Sequence, residues 1–143
     1  MIPRQAQALR DIAMKLVLSV APETTTAYAA SNTGMIAMLL QCLAPELDRG
    51  VETRIRDIEE MKTLFAGALA QNLDPALAAE LLSYGGREPR SLRLQDLDPL
   101  HADGLRALIT LHAWAEEAGI GSLDRGIWAF LERFTDRHAF ALP

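Results

Sequence analysis

Cysteine is almost missing from this 143-residue chain, and aromatic side chains make up only 6% of it. Cys42 stands alone, with no partner for an internal disulfide or a four-thiolate zinc site. Nothing therefore calls for an oxidising compartment, and the cytoplasm is the expected location. A basic surplus is missing too. The 14 Lys and Arg against 19 Asp and Glu leave a formal charge of −5, a field that repels phosphate backbones, so no nucleic-acid partner is expected. The chain has no glycine-rich dinucleotide or phosphate loop, no Gly-x-Ser-x-Gly elbow, no paired cysteines and no His-Glu-x-x-His. No cofactor is expected, no residue stands out as catalytic, and a non-enzymatic protein is the favoured reading.

Long, purely apolar runs are lacking as well. The stretch between Glu23 and Glu46 carries no Asp, Glu, Lys or Arg and has the length of a membrane span. Thr24, Thr25, Thr26, Ser31, Asn32, Thr33 and Gln41 make it too polar for a bilayer core. Pro22 and Pro45 bracket it like a helix inside a bundle, so no membrane insertion is expected. Met14–Ala21 faintly resembles a leader's apolar segment, but Arg10, Asp11 and Lys15 interrupt it, and a secretion leader is not expected.

What the chain does have is hydrophobic residues, half of the total, at helical spacing. Leu9, Ile12, Ala13, Leu16, Val17 and Val20 predict a first amphipathic helix from Gln5 to Val20. Pro22 and Glu23 read as the opening of a second, apolar or small on nearly every side, that runs to about Leu43 before a turn at Asp48-Arg49-Gly50. A third, from about Val51 to Leu69, carries Val51, Ile55, Ile58, Phe65 and Leu69 as its stripe. Asp74-Pro75 caps a fourth that stops at Gly85-Gly86, and the Arg87–Leu97 stretch reads as irregular. Asp98-Pro99 repeats the cap signal for a fifth helix to about Ala118, and after Gly119 and Gly121 a sixth, capped by Ser122, runs to about His138. No alternating strand pattern appears. The expected fold is all-α, a single-domain bundle of five to six helices with short connections over residues 1–143.

The three histidines all lie on the apolar arcs of their helices. His101 and His112 are about 16 Å apart along one helix and cannot share an ion. His112 and Glu116, one turn apart, can both reach a metal, and His138 is a possible third ligand. Antiparallel pairing of the last two helices, however, brings His138 nearer to His101 than to His112. A di-iron carboxylate centre fails on ligand count, because the only approach to its motif is Asp98-x-x-His101 and the second helix has no acid. Lys62 projects into the third helix's apolar stripe, where desolvation can make a base and a carboxylate partner makes an ordinary ion pair. Arg87, Arg90 and Arg93 form the one local basic cluster, interrupted by Glu88 and Pro89.

The second helix carries the clearest non-catalytic signal. Ala27, Ala30, Ser31 and Gly34 put small residues one turn apart, so that another backbone can approach, and Met38 adds adaptable bulk. Asn32 in this stretch needs a hydrogen-bond partner if buried, and Tyr28 is a candidate or a pocket lining. Trp114 and Trp128 sit at the margins of apolar faces, where core and interface are both open to them. Two readings follow. The first is an interaction or scaffold module, with a homodimer or another protein as partner, that associates through the second helix and nearby aromatics. The alternative is a metal- or small-ligand-binding bundle that draws on Tyr28, Asn32, Lys62, His112, Glu116 and His138.

Overall fold

A computed structural model describes residues 4–139, and every regular element among them is helical. The first helix, α1 (Gln5–Lys15), continues through a wide turn at Leu16–Val20 and a tight one at Ala21–Glu23. Pro22 lies in that tight turn. It closes the first helix instead of opening the second, because proline has no N–H to extend the ladder behind it. The opening falls to the threonines: the Thr24 hydroxyl donates to the Ala21 carbonyl (2.7 Å), and Thr26 Oγ1 accepts from the Ala29 N–H (3.1 Å), capping α2 (Ala27–Ala68).

The expected turn at Asp48-Arg49-Gly50 does not form, and α2 runs through it as one helix of 42 residues, so the described residues hold five α-helices where five to six were expected. A glycine within a helix costs only about 1 kcal/mol relative to alanine. Gly50 does not take the left-handed conformation of a helix stop; Gly119 is the one described residue with a positive φ, at 68°. Arg49 also pairs with Glu46 within the helix. Pro45 stands inside α2, where it deletes one ladder bond.

Chain contacts separate two compact units, one within residues 4–50 and one within 51–139. In the first, α1 and the leading half of α2 run antiparallel, with Arg10 reaching Asp48 (3.8 Å) and Ala13 and Val17 sharing a groove with Gly34, Ala37 and Met38. Its buried apolar side chains are alanines alone: Ala6 and Ala13 on α1, Ala37 and Ala44 on α2. Each pair is spaced by seven residues, so a methyl group recurs on the same face every two turns and the two backbones can lie close together.

The second unit has a core of large side chains, among them Met61 and Phe65 of α2, Leu81 and Tyr84 of α3 (Pro75–Gly85), Leu97 and Leu111 of α4 (Leu94–Glu117), and Ile127 and Phe130 of α5 (Gly121–His138). Asp74 caps α3 as expected, accepting from the N–H groups of Ala76 (3.0 Å) and Leu77 (3.3 Å). The twin signal at Asp98-Pro99 does not start α4. That helix begins at Leu94, with Pro99 inside it and Asp98 turned outward to Arg54 (3.0 Å). The apolar period that includes Leu97, Leu100, Leu108 and Leu111 already covers this stretch, and its burial outweighs the local cap. Ser122 does not cap α5 either; the N-cap is Ile120, which makes no side-chain bond there. Gly119 instead reverses the chain, so α4 and α5 pack antiparallel.

Candidate functional site

In the second unit, Asp57 of α2 is fully buried and gathers partners from two other helices. His101 Nε2 of α4 lies 2.9 Å from its Oδ2, and His138 Nε2 from the last turn of α5 lies 2.7 Å from the same oxygen. The other oxygen, Oδ1, accepts from Arg137 Nε (2.8 Å), and Arg137 Nη1 donates to Glu60 Oε1 (2.7 Å). Glu60 also accepts from Arg133 Nε (3.1 Å).

Burial pushes the Asp57 carboxyl up, but the hydrogen bonds from His101, His138 and Arg137, with the charge of Arg137, outweigh it and hold the group below the ordinary carboxylate range. An ionised carboxylate only accepts, so both Nε2 atoms carry their protons toward it. Arg137 answers to the same balance: burial lowers its pKa, its bonds to Glu60 and Asp57 raise it, and the net shift is upward. Phe134 fixes the ring planes, with its centroid 4.2 Å from that of His138 and 6.1 Å from that of His101.

Of the expected ligand set, His112 and Glu116 do meet, at 3.8 Å, but their third neighbour is Asp124 of α5, 3.0 Å from His112 Nε2. His138 belongs to the Asp57 centre, as the antiparallel pairing of the last two helices implied. Asp57 and Asp124 are the members that sequence reasoning missed. Asp57 did carry a signal: it stands one turn before Met61 on the face that also carries Phe65 and Ala68. Asp124 carried little, since it reads as an ordinary acid in the first turn of a helix.

Lys62 meets Glu88 Oε1 at 2.6 Å, and its side chain stays partly in water. Arg87 of the basic cluster pairs with Asp103 (2.6 Å), whose carboxyl is held below its usual range chiefly by that bond. Trp114 packs against the core, and Trp128 stays half-exposed with its ring edge on His112.

The first unit places Tyr28 in solvent, 77% exposed, without a bond to Asn32, which is half-buried. Ala27, Ser31, Gly34 and Met38 are exposed and Ala30 partly so. The close approach within the hairpin therefore uses Ala37 and Ala44, and the small-residue row noted in the sequence stays open. Among the described residues, no helix is long and apolar enough to cross a membrane. The chain matches no family model, no curated protein and no solved structure.

Proposed function

We propose that the protein is a non-enzymatic interaction module that self-associates, two copies pairing through the apolar surface of residues 4–50. The observation that carries this reading is the set of twelve large hydrophobic side chains in this unit that are 40 to 77% exposed, including Val17, Leu18, Ile36, Met38, Leu39 and Leu43. Together they leave on the order of 1,000 Å² of apolar surface in water, more than scattered single surface hydrophobics amount to.

Charge favours a second copy as the occupant. Residues 1–50 hold four basic side chains (Arg4, Arg10, Lys15, Arg49) and four acidic ones (Asp11, Glu23, Glu46, Asp48), so the net charge of −5 falls entirely on the rest of the chain. The neutral surface of one copy meets that of another without repulsion, and it has no basic excess to draw it onto anionic lipid. The lone Cys42 fits a reducing, cytoplasmic setting.

Sedimentation or light scattering across micromolar to near-millimolar protein tests the reading. A dimer is expected, dissociated by Met38→Glu; a monomer throughout the range overturns it.

A further inference from the structure

We propose that Asp57, His101 and His138 form a binding site for one divalent transition-metal ion of the zinc class, with Asp57 offering Oδ2 and each histidine its Nε2. Any two of these three atoms lie within 4.8 Å of each other, and the two nitrogens stand 2.9 and 2.7 Å from the oxygen. A tetrahedral ion with bonds of about 2.0 to 2.1 Å holds its ligand atoms roughly 3.3 Å apart. The two N···O distances therefore have to open by about half an ångström for the three groups to hold an ion between them.

The groups differ in their freedom to make that shift. Asp57 and His101 are buried, whereas His138 lies in the last turn of α5 with a quarter of its side chain in water. His138, the least buried of the three and closest to the end of its helix, is the ligand whose adjustment completes the set. Two imidazoles with one carboxylate suit zinc, cobalt or nickel, and not the all-oxygen shells of calcium and magnesium. On binding, each ring presents a bare Nε2 to the ion, so the two N–H···O bonds to Asp57 give way to three coordinate bonds.

The surroundings are those of a held ligand set. Arg137 occupies Oδ1 and leaves Oδ2 as a single, oriented ligand oxygen, the role that outer-shell donors play around bound metals. Glu60 shares the charge of Arg137, so no unpaired guanidinium faces the incoming cation. A second group, His112, Glu116 and Asp124, offers one imidazole, and its Glu116 is mostly in solvent. It serves as the internal control.

The test uses full-length, untagged protein stripped with chelator and titrated with Zn²⁺ by calorimetry, and with Co²⁺ by visible absorption. One ion per chain is expected. His138→Gln, at a partly exposed position where circular dichroism can confirm an intact fold, is expected to weaken binding at least about tenfold and to remove the intense tetrahedral Co²⁺ bands. His101→Gln is expected to do the same, and His112→Gln to leave both readouts unchanged. Absence of stoichiometric binding at micromolar metal overturns the proposal. So does binding that survives His138→Gln and is lost in His112→Gln.

Discussion

Tyr84 fills the space that a side chain at position 104 would need. A β-carbon built on Gly104 overlaps the Tyr84 hydroxyl and stands 2.6 Å from its Cζ and 2.7 Å from Met61 Cε. This glycine is required by a close approach, since its backbone is ordinary helix. Gly104→Ala gains up to about 1 kcal/mol of helix propensity but forces overpacking that costs about 1 to 3 kcal/mol. A net loss of stability of about 1 kcal/mol or more is expected in urea unfolding.

The same contact makes a second, opposite prediction. The Tyr84 hydroxyl is buried with no hydrogen-bond partner among the described residues, and burial pushes its pKa up. Tyr84→Phe removes an unsatisfied group and is expected to leave stability unchanged or raise it by about 1 kcal/mol. In the Gly104→Ala background it also removes the overlapping oxygen, so the pair of changes is expected to cost less than the sum of the two alone. Strict additivity in that double-mutant cycle rejects the contact.

Asp57 ties α4 and α5 to α2, and its charge carries the tie. Its folded pKa is depressed, so its contribution is fully present above the unfolded value of about 3.9 and is lost as pH falls through the lower folded value. The groups facing it are His101 from α4, His138 and Arg137 from α5, and Glu60 one turn along α2 through Arg137. Asp57→Asn is expected to cost about 3 kcal/mol or more near neutral pH, because Arg137 then loses a buried partner. The gap between wild type and variant is expected to narrow as pH falls below about 3.9 and Asp57 takes up its proton. Urea midpoints measured down to about pH 3 check both parts, and a gap that fails to narrow below about pH 3.9 contradicts the assignment.

These residues mark where the sequence was legible. Asp74-Pro75 and Asp98-Pro99 are the same local signal, yet only the first starts a helix. Upstream of Asp74 the chain is a turn, while the apolar period around Asp98 already includes the buried Leu97 and Leu100, and tertiary burial overrides a cap worth about 1 kcal/mol. Asp48-Arg49-Gly50 misled for a related reason: glycine permits a stop without enforcing one. The histidines were visible as oddities on apolar arcs, and their common partner was not, because a wheel reading treats an acid as solvent-facing. The meeting of Asp57 with residues more than 40 positions away is a property of the packed helices.

Lys62 separates an ion pair from a desolvated base. Its side chain is 20% exposed and its partner Glu88 is 79% exposed, so water screens the pair. Glu88→Ala is expected to cost less than about 1 kcal/mol, and Lys62→Met to be neutral within about 0.5 kcal/mol because the methionine keeps the stem's apolar contacts. Urea midpoints measure both, and a gain of more than about 2 kcal/mol in Lys62→Met shows that the ammonium is held at a large desolvation cost.

Gly34 allows folding and assembly to be separated in the first unit. No atom outside its own helix turn lies within 4 Å of a β-carbon built there, so Gly34→Ala fits the hairpin and adds up to about 1 kcal/mol of helix propensity. If a second copy covers this face, the added side chain blocks its approach, and the dimer is expected to weaken at least about tenfold while the monomer's helix content holds. Salt supplies the complementary check. No Asp, Glu, Lys or Arg lies between Glu23 and Glu46, so the dissociation constant is expected to change less than about threefold between 0.1 and 1 M sodium chloride. An association that collapses in high salt is held by charged groups elsewhere on the chain, and the apolar face of α2 is then not its seat.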